Sequence, residues 1–220
     1  MKEIKNSISI VHPSRCRPDL AFYIAEKWLN LSSKEYPIEY FLSIDTTDPL
    51  KDKYLSNFSA NKSIKIITKD NKSAIEAINN AAKLTKNNLI IVVSDDFDCF
   101  QDWDKWLLGY LKDHEDYIVK TKDGIQNRLI TLPIMDRKYY ERFGYIYYPE
   151  YLHMFCDTEM TDVAHILGRV IDLQDPNYQF THMHPVAGLM QKDAIHEKND
   201  ATWNQGEEIY KSRKSHNFYL

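Results

Sequence analysis

Ser94-Asp95-Asp96-Phe97-Asp98 places three carboxylates within four positions, directly after the apolar run Leu89-Ile90-Ile91-Val92-Val93. Oxygen donors spaced so closely suit a divalent cation such as Mn or Mg, and a cation held there would in turn hold phosphate oxygens. The alternative is a solvated acidic turn that caps the next helix. Asp45 closes a second apolar run, residues 38–44, and is followed by Thr46-Thr47-Asp48-Pro49. Arg15 and Lys72 lie in loops near strand ends, where a cation could meet a diphosphate or simply face solvent. His12 follows the first apolar run, where its backbone matters more than its ring. His182 and His184 stand at i and i+2, on one face of an extended segment, and imidazole suits Mn or Zn better than Mg or Ca. Asp157 and Glu159 open a helical pattern. Acids there routinely cap helices, and the helix dipole would favour the ionised form of Asp157, which is compatible with a general base. No serine or Cys–His spacing supports nucleophilic catalysis.

These residues need a scaffold, and the apolar periodicity supplies one. Strands are predicted at residues 8–11, 38–44, 64–67 and 89–93, with helices after Pro18-Asp19 and from Ser73 to about Leu84. Strand and helix thus alternate through the first hundred residues, the pattern of βαβ units and a parallel sheet. Carboxylates after successive strands then gather along the carboxyl edge of that sheet, where open α/β folds bind ligands. The second half predicts a helix at 103–111, strands at 117–121, 129–134, 170–173 and 179–181, a turn at Asp123-Gly124, and a helix at 137–143 capped by Gly144. A further helix carries Met160, Val163, Ala164 and Leu167, and residues 199–220 read as polar and mostly helical or loose.

Composition narrows the function. A formal charge of −4 without a strongly basic arm argues against nucleic acid as partner. Three cysteines, Cys16, Cys99 and Cys156, share no metal spacing and fit a reducing compartment. No apolar stretch approaches a membrane span, which leads us to expect a cytoplasmic protein that could still touch a membrane peripherally. Neither Gly-x-Gly-x-x-Gly nor a P-loop is present, so a diphosphate would need another counter-charge, and a metal at Asp96 or Asp98 is the obvious supplier.

In this order the pieces resemble the GT-A nucleotide-sugar glycosyltransferases, especially the inverting family 2 group. Ile-Ser-Ile-Val-His-Pro-Ser-Arg-Cys-Arg-Pro at residues 8–18 is similar to that family's opening strand and loop, and Ser-Ile-Asp-Thr-Thr-Asp-Pro to its Asp-rich second loop. Residues 70–82 resemble its Gly-Lys-Ser-helix-Asn segment, with Asn71 in place of Gly, and residues 92–98 its Asp-x-Asp site. Residues 132–145 and then 155–164 resemble its acceptor side, with Cys156 in place of the Glu of a Glu-Asp pair. The resemblance covers most of residues 7–185 and lacks the Gln-x-x-Arg-Trp motif of processive synthases. It implies an α/β GT-A fold, a mostly parallel, Rossmann-like central sheet flanked by helices with a mixed acceptor-side extension. It implies a single domain, with a nucleotide-sugar half to about residue 100 and an acceptor half over about 101–220.

The implied reaction moves a sugar from a nucleoside diphosphate donor to a glycan or lipid-linked acceptor hydroxyl, as in polysaccharide biosynthesis. Asp157 would be the catalytic base, Asp96 a metal ligand, and Asp95 a contact to ribose or metal. Asp45 and Lys72 would meet the nucleotide, and His184 would match a late histidine ligand. His12 and Arg15 fall in the donor-side loop, and Asp98 is a further candidate ligand. Tyr145, Tyr147, Tyr148 and Trp203 could stack on sugar rings. A sugar nucleotidyltransferase is an alternative, but residues 12–18 lack the Gly-rich loop such enzymes use. A non-catalytic carbohydrate-binding protein is another.

Overall fold

The computed structural model describes residues 6–220. Seven strands make one sheet: β1 Ile8–Pro13, β2 Ile38–Asp45, β3 Ile64–Lys69, β4 Leu89–Val92, β5 Ile118–Thr121, β6 Ile134–Asp136 and β7 Val170–Leu173. Their spatial order is β3-β2-β1-β4-β6-β5-β7, and β6 alone runs antiparallel to its neighbours. The helices are α1 Pro18–Asn30, α2 Lys51–Asn57, α3 Ala74–Ala82, α4 Trp103–Leu111, α5 Arg137–Phe143, α6 Cys156–Ile166, α7 Ala194–Asp200 and α8 Trp203–Ser215.

The central strands are buried on both faces, as a parallel sheet requires. Along β4, Leu89 and Ile91 join one apolar cluster with Trp28, Trp103 and Phe180, while Ile90 and Val92 join another with Ile78, Met135 and Met160. That is the two-residue alternation of a strand read from both sides. Among the described residues no helix is long and apolar enough to cross a membrane.

Two strand expectations need correction. Of residues 129–134 only Ile134 enters a strand, although Ile130 and Leu132 are fully buried. The apolar run there belongs to a buried loop. Asp123 clamps it by accepting from the N–H groups of Ile125 and Gln126 and from the Thr131 hydroxyl. Asp123-Gly124 therefore opens a long connection between β5 and β6 rather than a tight hairpin. Residues 179–181 are not a strand either. Phe180 is a core residue on an irregular segment whose backbone bonds to residues 96–98 and 122–123, with one isolated bridge of Phe97 to His182. Helices α2 and α7 were not expected; α2 buries only Tyr54 and α7 only His196, so neither carries an apolar stripe.

Candidate active site

The loop after β1 and the loop after β4 are joined by a buried chain of hydrogen bonds. Arg17 N–H donates to the Tyr54 hydroxyl (2.9 Å), which lies 2.6 Å from Ser14 Oγ, and Ser14 donates to Asp95 Oδ2 (3.0 Å). On the other carboxylate oxygen, Asp95 Oδ1 lies 2.9 Å from His12 Nε2, and His12 Nδ1 lies 2.6 Å from the Tyr40 hydroxyl. Burial pushes both phenols far above the ordinary tyrosine range, so each keeps its proton to donate. A fully paired polar network of this kind rigidifies the loops it joins. Asp95 and His12 thus face inward. Both oxygens of Asp95 are taken by the protein itself, and the His12 ring is sealed from solvent.

This arrangement leaves Asp96 as the carboxylate at the carboxyl end of β4. Its Oδ2 lies 3.3 Å from His182 Nε2, and Ser94 Oγ donates to Oδ1. Its main-chain oxygen accepts from Met183 N–H (2.6 Å). Burial would raise the Asp96 pKa, but the His182 and Ser94 hydrogen bonds outweigh it and bring the carboxyl down to about 2. His182 is held in place by stacking on Phe97, with ring centres 4.3 Å apart. The expected histidine was His184, two residues on. Its Nδ1 instead accepts from Val186 N–H, and its ring packs between His182 and His196. Asp98 turns the other way, to an ion pair with Lys27 of α1 at 2.5 Å, because its N–H is pinned to Thr181 O.

The loops after β1, β2 and β3 converge as expected. Asp45 is gripped by Arg15 on one oxygen and by Asn71 Nδ2 (3.0 Å) on the other, and Asn80 in turn orients Asn71 (2.9 Å). Lys72 is exposed beside them, its backbone N–H bound to Glu76 while Ser73 caps α3. Arg17 is a further residue of this edge that its sequence context barely marks. Its guanidinium forks onto both oxygens of Asp193 (2.8 and 2.7 Å), the residue that caps α7, and so draws the 182–200 segment back over the start of α1. Only the Arg-Pro pair that opens α1 hinted at it.

Asp157 lies in the first turn of α6, at the same edge of the sheet. The Val92 N–H donates to Pro133 O, while Ile130 N–H donates to Thr161 Oγ1, whose hydroxyl donates to Asp157 O (2.7 Å). The Asp157 Oδ1 accepts from Thr158 N–H (2.7 Å). Burial raises its pKa above the ordinary aspartate value, which makes its carboxylate a better proton acceptor. Close to Asp96, three residues before α6, is His153, which no sequence motif singled out. Among the described residues its buried Nδ1 finds no hydrogen-bond partner, and burial lowers its pKa to about 4, so the ring is neutral.

Asp96 Oδ2 and His182 Nε2 fit a divalent cation. A 3.3 Å separation is that of neighbouring ligands around one ion with bonds of about 2.1 Å. Among the described residues no three His, Cys, Asp or Glu side chains gather closely enough to cage a metal by themselves. A cation that shares its remaining positions with phosphate oxygens and water needs only one or two protein ligands. Of the candidate stacking residues, Tyr147 is buried, Trp203 packs on Phe155, and Tyr145 and Tyr148 line a separate cavity of about 480 Å³ with Arg213.

No family model matches the chain, and no curated protein matches its sequence. Solved structures do match. Residues 1–349 of S. aureus TarS, in complex with UDP-GlcNAc, superpose with a TM-score of 0.64 at 14% identity, over 86% of this chain and 60% of that one. The mannosyltransferase PcManGT from Pyrobaculum calidifontis, in complex with GDP-Man and Mn2+, gives 0.61 at 12% identity, over 79% and 56%. A longer S. aureus TarS chain gives 0.63 at 12% identity, over 80% and 36%. The fold is GT-A. This chain spans between 36% and 60% of the length of those three structures.

Proposed function

We propose that the protein is a glycosyltransferase that moves a sugar from a nucleoside diphosphate donor to a carbohydrate or lipid-linked acceptor hydroxyl, inverting the anomeric carbon. The observation that carries this reading is the placement of Asp96, paired with His182, and of Asp157, in a buried first helical turn, at one carboxyl edge of a GT-A sheet. The solved neighbours support it, since two of them hold a sugar nucleotide and one also holds Mn2+.

The first half, to about residue 100, would take the donor, with Asp45, Asn71, Arg15 and Lys72 nearest the nucleoside. Residues beyond it would take the acceptor. Asp96 and His182 would hold a divalent cation, which when bound would offset charge on the departing diphosphate. Asp157 would accept the proton of the acceptor hydroxyl as its oxygen attacks the anomeric carbon and the bond to the diphosphate breaks. Asp95 and His12 would act from behind, fixing the loop that presents Asp96.

Incubation with UDP-GlcNAc and GDP-mannose, followed by release of nucleoside diphosphate, tests the reading. Asp157→Asn should abolish turnover while nucleotide binding persists. Turnover retained by that variant would remove Asp157 from the role.

A further inference from the structure

Helix α8 is polar, and Gly206 is its single buried residue. A helix interior disfavours glycine, so its presence there calls for a spatial reason. The reason is contact with the backbone that leads into α6. A Cβ at position 206 would stand 2.2 Å from Met154 O and 2.9 Å from Met154 C, distances no real Cβ tolerates. The other helical glycine, Gly109 in α4, has nothing within 4 Å of the same point.

The segment beneath Gly206 is itself constrained. Met154 N–H donates to Thr202 Oγ1 (3.1 Å) at the start of α8. Phe155, which precedes α6, adopts the left-handed conformation at φ 71°, uncommon for a bulky residue. Its ring is wedged between Trp203 and Tyr210 of α8, with ring centres 4.9 and 5.8 Å away. One turn further, Arg213 of α8 binds Glu159 of α6. Asp157 lies between the Phe155 and Glu159 attachments, so the height of α8 sets the height of the first turn of α6.

We propose that Gly206 is a positioning residue for Asp157: the missing side chain lets α8 seat directly on Met154 and Phe155 and so fixes the position of the carboxylate in the first turn of α6. The inference rests on the reading of Asp157 as the base. Its test nevertheless includes a readout that needs no turnover. In protein carrying ¹³C-labelled aspartate, the Asp157 carboxyl is followed by NMR through its titration, assigned by its loss in Asp157→Asn. The groups that act on it are Cys156 and Tyr147 beside it, Thr158 on its own helix and Arg128 from the β5–β6 connection.

Gly206→Ala should move the Asp157 midpoint from its wild-type position while UDP or GDP binding with Mn stays unchanged. Gly109→Ala should leave it in place. On whichever donor the wild type turns over, Gly206→Ala should lower kcat by about 100-fold, the scale of a 1 Å misplacement, with the donor KM unchanged. Thr202→Val, which removes the hydroxyl without adding bulk, should move the midpoint in the same direction by less, and it carries the test if Gly206→Ala does not fold. A folded Gly206→Ala, or in its place Thr202→Val, with a titration curve superimposable on wild type overturns the proposal. Turnover retained by Asp157→Asn would instead overturn the base reading and leave the titration result standing as a statement about position.

Discussion

Arg213 and Glu159 tie α8 to the helix that bears Asp157, and the pair is nearly dry, with side chains 11% and 5% exposed. Arg213 Nε donates to both Glu159 oxygens at 2.9 Å, and the Tyr151 hydroxyl adds a third bond at 2.8 Å. The guanidinium also lies 3.4 Å from the ring centre of Tyr148 and donates to Phe218 O. Arg213→Met keeps the apolar stem but leaves a buried carboxylate with one neutral donor. Breaking such a pair from one side costs about 3–5 kcal/mol, because the remaining charge is uncompensated. For a chain of 220 residues that is a fall in Tm of about 10 °C.

Glu159 sets the sign of the pH dependence. Burial holds its pKa above the ordinary value even with its partners in place. A raised carboxyl contributes stability below its unfolded pKa that is lost as pH rises through the folded pKa. Without Arg213 the folded value rises further, so the deficit of Arg213→Met should be largest near neutrality and shrink on acidification. Urea and thermal unfolding followed by tryptophan fluorescence measure both effects. Glu159→Gln combined with Arg213→Met should recover much of the loss, since no buried charge remains. A deficit below about 1 kcal/mol, typical of an exposed pair, would refute the reasoning. So would a double variant no better than Arg213→Met.

Ser73→Ala removes the cap that accepts from Glu76 N–H at the start of α3 and should cost about 1 kcal/mol in urea unfolding, without abolishing nucleotide binding. His182→Ala removes the main partner that depresses Asp96. A depressed carboxyl contributes stability above its unfolded pKa that is lost as pH falls through the folded one. This variant should therefore lose up to about 2 kcal/mol at neutral pH and converge on wild type as the pH falls toward 2 in acid titration. It should also weaken Mn-dependent nucleotide binding; equal stability and equal binding would separate His182 from Asp96.

The parts of the fold visible in the sequence were those whose burial imposes a pattern. Strands β1, β2 and β4 are short apolar runs because both faces are covered, and α5 ends where Gly144 takes φ 70° and returns its N–H to Tyr140 O. Polar α8 carries no apolar stripe, so residues 199–220 read only as mostly helical or loose; the helix is held by backbone contact at Gly206 and by ion pairs. The run at 129–134 misled for the opposite reason, since a buried loop satisfied by Asp123 is as apolar as a strand. In the site, residue types were legible but directions were not. Asp95, Asp96 and Asp98 are chemically alike, and only the hydrogen bonds to His12 and Ser14, to His182, and to Lys27 distinguish them. His182 and His184 share a face in an extended segment, yet the stacking on Phe97 brings only the first to Asp96.

Calorimetric titration of UDP and of GDP, with and without Mn, into the wild type and Asp96→Ala tests the central claim most directly. The account predicts that one nucleotide binds the wild type more tightly with Mn and that Asp96→Ala, still folded, loses that increment. Equal affinities with and without Mn, or an Asp96→Ala titration that matches wild type, would contradict it.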